Sequence, residues 1–99
     1  MDDPSVWVNR GKAHFERGEL EAALADLERG LALEPDHPAA RLARGVTLLR
    51  LSRPREALLD LHRAVELAPG DALALKMRGV ARQRLGELRP ALDDHDAAL

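Results

Sequence analysis

Leucines and valines recur along this chain at intervals of three and four residues. Leu24, Leu27 and Leu31 form one such series, and Leu58, Leu61 and Val65 form a second. That interval puts each set on a single stripe of an α-helix, with polar residues turned away. Short breaks separate the periodic stretches. The first helix is predicted over about Pro4 to Arg17, with Asp3 as N-cap, Pro4 in the first turn and a stop at Gly18. The second is predicted over about Glu21 to Glu34, ending before Pro35, whose ring disfavours helix in the residue ahead of it. The scheme continues as about Pro38 to Leu51, Arg55 to Ala68, Ala72 to Leu85 and Arg89 to Leu99, making six helices. Connections such as Pro35-Asp36-His37 and Pro69-Gly70-Asp71 are too short for anything but antiparallel neighbours.

Sliding the sequence along itself by 34 residues shows why the breaks recur. Gly11 falls on Gly45 and Gly79, Ala23 on Ala57 and Ala91, Leu24 on Leu58 and Leu92, and Pro35 on Pro69. Gly18, Ser52 and Gly86 coincide as well. A fixed period of this length marks an array in which each unit is one supersecondary element. The units run over about 4–37, 38–71 and 72–99, the last one shortened, and the whole of 1–99 reads as one domain. Gly11, Gly45 and Gly79 each cost about 1 kcal/mol of helix propensity relative to alanine. Close approach of a neighbouring helix is the compensating reason.

A second regularity lies inside the period. Arg10, Arg44 and Arg78 each stand 16 residues ahead of an aspartate, at Asp26, Asp60 and Asp94. An ion pair between helices, within a unit or across adjacent ones, accounts for the spacing; separately solvated charges are the alternative.

Composition supports an all-α reading. Of 99 residues 45% are hydrophobic, yet Trp7 and Phe15 are the aromatics and isoleucine is absent, whereas a sheet core calls for β-branched and aromatic residues. A net charge of −2 gives no basic footprint for nucleic acid or anionic lipid, and no apolar run approaches the roughly 18 residues that span a bilayer. Neither partner is expected. Cysteine is absent and no secretion-type leader is evident, so a cytoplasmic location is the expectation.

The sequence resembles the tetratricopeptide repeat family. Trp7, Gly11, Ala23, Leu27, Gly30 and Pro35 match its pattern in the first unit, Gly45, Ala57, Leu61, Ala64 and Pro69 in the second, and Gly79, Ala91 and Ala98 in the third. Arg10, Arg44 and Arg78 depart from it where leucine is common, as do His14 and His95 where an aromatic residue or leucine is usual. The resemblance implies a right-handed superhelix of three helical hairpins. Trp7, Gly11, Ala23, Gly45, Ala57, Gly79 and Ala91 would pack the helices together.

It also implies that the first helix of each hairpin lines a concave face. The groove would carry Val8, Lys12 and Phe15, beside Ser5 and Glu16, from the first unit. Leu42, Val46, Leu49 and Arg50, beside Ala39, come from the second, and Lys76, Val80 and Arg84, beside Leu73 and Gln83, from the third. Such a face is apolar in the middle with basic ends, suited to an amphipathic helix or an extended peptide of some acidic character. Ordinary packing between successive helices is the alternative use of these residues. A family branch grips chaperone C-terminal carboxylates with Lys, Asn and Arg. The matching places here hold Val8, Lys12, Ala43, Leu73 and Met77, so one cation survives and chaperone-tail binding is disfavoured.

The expected role is therefore a protein-interaction scaffold for a protein or peptide ligand. Leu88, Leu92 and Leu99 of the last repeat would want a cover. Either a longer array of which this chain is a fragment supplies it, or self-association does, by packing of another copy or by helix exchange, and self-association is the alternative role. No phosphate loop, nucleophile elbow or zinc helix motif is present, so no enzyme, cofactor or metal is expected. His62 with Glu66, and His95 among Asp93, Asp94 and Asp96, are the nearest approach to a metal site.

Overall fold

A computed structural model describes residues 3–86. Among them are five α-helices and no strand: α1 (Pro4–Glu16), α2 (Leu20–Leu33), α3 (Pro38–Arg50), α4 (Pro54–Leu67) and α5 (Ala72–Gly86). The helix expected over about Arg89 to Leu99, and with it the completion of a third unit, lies outside the described residues, as do Ala91 and Asp94.

Local chemistry sets both ends of α1 to α4 and the start of α5 to within a residue of expectation. Asp3 caps α1 by accepting from the Ser5 N–H at 2.9 Å. His37 Nδ1 accepts from Ala40 N–H at 3.2 Å at the start of α3, and Asp71 Oδ1 accepts from Leu73 and Ala74 at the start of α5. The helices before Pro35 and Pro69 end one residue sooner than expected. Glu34 and Ala68, each preceding a proline, leave the helical region, Glu34 for extended backbone with φ near −141° and Ala68 with φ near −140°. Pro54 joins α4 at its first turn, where a missing N–H costs nothing.

Neighbouring helices pack in chain order, and the first helices of the hairpins, α1, α3 and α5, also touch in succession. The body measures 47 × 25 × 19 Å, an elongated shape in which each unit leans on the next. One core cluster joins Val8, Leu27, Leu31 and Ala40. Another joins Leu24, Leu48, Leu49, Ala57, Leu61 and Ala81. Ala23 and Ala57 are fully buried.

The glycines at helix crossings explain themselves by distance. A Cβ on Gly11 would meet Leu27 Cγ at 2.9 Å, and one on Gly45 would meet Leu61 Cγ at 2.6 Å. Gly79 occupies the same repeat position, but its counterpart of Leu27 and Leu61 is residue 95, outside the described residues. Trp7 is half-buried beside Gly30, with the Arg29 guanidinium 4.5 Å and that of Arg10 5.6 Å from its ring centre.

The Arg–Asp spacing becomes geometry in two units. Arg44 grips Asp60 through both ends of its fork, Nε to Oδ2 at 2.7 Å and Nη2 to Oδ1 at 2.8 Å. Arg41 adds a third contact at 3.1 Å to a carboxylate only 1% exposed. The Asp60 hydrogen bond raises the Arg44 pKa further above its ordinary value. Arg10 comes within 3.1 Å of Asp26, yet its N–H is not aimed along a hydrogen bond, and the buried Asp26 Oδ2 lacks a well-directed donor. His14 completes that corner, with Nδ1 2.6 Å from Glu19 Oε1 and Nε2 3.5 Å from Asp26 Oδ2.

Candidate functional site: an apolar hollow between the first helices

The touching of α1, α3 and α5 leaves a solvent-open hollow of about 220 Å³ lined by Lys12, Phe15, Glu16, Ala43, Val46 and Leu73. Lys12, Phe15 and Glu16 share a face of α1 because they are spaced three and four apart, and Ala43 and Val46 share one of α3 for the same reason. Leu73 comes from the first turn of α5 and is half exposed. The walls are almost wholly hydrocarbon, and the charged groups are Lys12 and Glu16, both exposed.

Of the ten residues expected along the groove, the structure brings Lys12, Phe15 and Val46 into this hollow. Arg50 stands beside it, its guanidinium 5.1 Å from the centre of the Phe15 ring. Lys76 is exposed one turn beyond Leu73. Arg84 Nη1 donates to the Leu49 carbonyl at 2.6 Å, tying α5 to the end of α3. Leu42 and Val80 are partly buried against the Leu61 cluster.

Val8 and Leu49 are in the interior instead, each 2% exposed. Val8 can sink there because Gly30 on α2 has no side chain: a Cβ at Gly30 would come within 2.9 Å of Val8 Cγ2. Leu49 is drawn in by the apolar cluster around Leu61. Sequence reasoning matched Ala43 only to a clamp position and left it off the groove face. The position was legible there, since the clamp residues of a concave face line the same surface.

Chemically the hollow can take an apolar side chain, with charge exchanged at its rim. Among the described residues no group of three or more His, Asp or Glu converges on a point where a metal could sit, and no helix is long and apolar enough to cross a membrane. His62 and Glu66 form an exposed pair at 3.6 Å on α4.

A model of the tetratricopeptide repeat matches residues 8–72 and again 45–99. The chain belongs to the tetratricopeptide repeat family. Solved structures agree with the fold. The second such domain of Spaghetti (RPAP3) bound to the HSP90 peptide SRMEEVD is 28% identical with a TM-score of 0.82, covering 95% of this chain and 87% of that one. The second domain of human RPAP3, in complex with the HSP70 peptide SGPTIEEVD, is 28% identical with a TM-score of 0.77, covering 95% and 82%. MamA, at 19% identity and a TM-score of 0.79, covers 98% and 61% and shares the fold. Among curated proteins no sequence match is found.

Proposed function

We propose that this chain is a protein-interaction module that binds a peptide or helical segment of a partner on its concave face. The observation that carries the reading is the hollow itself: Phe15, Ala43, Val46 and Leu73 form hydrocarbon walls open to water between three helices that their own packing already satisfies. Exposed apolar concavities with a polar rim are the usual form of a peptide site. Two tetratricopeptide domains of similar structure are bound to peptides, which supports the same use here.

The experiment is a selection from a random-peptide library on the immobilised protein, with enriched peptides re-measured by titration calorimetry against Val46→Glu. Val46 is partly exposed, so the variant should fold, which circular dichroism checks. The expected result is at least about a tenfold loss of affinity, some 1.4 kcal/mol. Peptides that bind the variant equally well would place the site elsewhere. SRMEEVD and SGPTIEEVD serve as comparison ligands. Because Lys12 is the one cation in the hollow's lining, they are expected to bind more weakly than the selected peptides.

A further inference from the structure

We propose that the hollow reads an internal acidic segment of the partner, not a chain end: one large aliphatic side chain enters between Phe15, Val46 and Leu73, and neighbouring carboxylates are received at the rim by Lys12 and Arg50. This rests on the concave-face reading above.

Size limits the buried part to a single side chain. A dry cavity of roughly 150 Å³ accommodates benzene, so the hollow's 220 Å³ suits one leucine-sized group. Its walls cannot satisfy a buried carboxylate. Lys12 is the cation among the lining residues, Glu16 stands one turn along the same helix, and no amide or hydroxyl side chain joins them. A chain end pushed inside would leave charge without enough donors, which is costly.

The rim has the opposite character. Arg10, Arg41, Arg44, Arg53 and Arg63 are matched by carboxylates of this chain, whereas among the described residues Lys12 and Arg50, like Arg17, Arg29 and Arg55, form no ion pair and are left to meet a partner's charge. Arg50 is held over the Phe15 ring, so its charge stands next to the apolar wall. Lys76 and Arg84 lie along the same run of first helices. At the hollow itself Lys12 and Arg50 against Glu16 leave one net positive charge, on a chain whose net charge is −2. Complementarity therefore points to an acidic ligand whose carboxylates stay in the solvent-facing layer.

The test uses fluorescein-labelled nonapeptides of glycine and serine with one central leucine flanked by glutamates, amidated at the C-terminus. Parallel probes have serine for leucine, lysine for glutamate, or a free carboxylate next to the leucine–glutamate pair. Anisotropy titrations with the native chain should show amide and free-acid forms within about twofold of each other. The serine and lysine probes should each be weaker by about tenfold or more. The exposed pair of substitutions Lys12→Glu and Arg50→Glu should reverse the order, favouring the lysine probe. A free-acid probe tighter by about tenfold overturns the proposal, as does a charge reversal that changes nothing, or failure of every probe to bind. If library peptides still lose binding with Val46→Glu in any of those cases, the concave site stands and only its acidic, internal specificity falls.

Discussion

Asp26 and Asp60 occupy one position of the repeat and follow an arginine at the same spacing, yet their surroundings forecast very different costs of removal. Asp60→Ala strands Arg41 and Arg44, whose side chains are 22% and 24% exposed. Breaking a buried ion pair from one side costs about 3–5 kcal/mol, and the partial exposure of the two guanidinium groups brings the expectation to about 2–4 kcal/mol. For a chain of this length that is a large part of a total stability of roughly 5–15 kcal/mol. Asp26 has a poorly aimed Arg10 whose side chain is 63% exposed, and its buried Oδ2 already lacks a directed donor. Asp26→Ala should therefore cost about 0–1 kcal/mol. Urea denaturation followed by circular dichroism measures both, with an unchanged m-value needed to compare them. Asp60→Asn, which keeps the shape and loses the charge, should fall between. Equal losses at the two sites, or a larger one at Asp26, would refute the claim that alignment and burial set the strength of the pair.

Three further outcomes follow from the packing and the charges. Gly45→Ala gains about 1 kcal/mol of helix propensity but drives a methyl to 2.6 Å from fully buried Leu61, an overpacking cost of about 1–3 kcal/mol, so a net loss is expected and a gain in urea midpoint would contradict it. Ser52 holds φ at 62°, where its counterpart Gly18 has 79°, so Ser52→Gly should raise stability by about 0.5–1 kcal/mol; a lowered thermal midpoint would show that the left-handed turn is not strained. Hydrogen bonds from His14 and from Arg53 hold the carboxyls of Glu19 and Glu56 below their ordinary value of 4.5. A depressed native pKa adds stability that is complete above the ordinary value and lost as pH falls through the native one, so the thermal midpoint should drop below about pH 4.5 and salt should blunt the drop. A midpoint that rises on acidification there would contradict the sign.

Much of this was readable in the sequence because a repeat writes each constraint more than once. The offset of 34 located the hairpins, and the recurrence of glycine at positions 11 and 45 announced close crossings that Leu27 and Leu61 now account for. The spacing of 16 between arginine and aspartate became a contact in both units where the pair is described. What escaped were effects that depend on a second element. Arg41, one turn before Arg44, joins Asp60 only because α3 and α4 cross at that point. Val8 is interior because Gly30, on another helix, makes room for it, and Leu49 because its cluster draws on α4 and α5. Arg50 lies over Phe15 across the gap between α1 and α3, which one-dimensional periodicity does not encode.

The proposed partner site lies on the side formed by α1, α3 and α5. Its most direct test is a titration of isotope-labelled protein with a selected peptide, followed by amide chemical shifts in nuclear magnetic resonance spectra. Shifts are expected to centre on Lys12, Phe15, Ala43, Val46 and Leu73; shifts confined to α2 and α4 would place the partner on the opposite side.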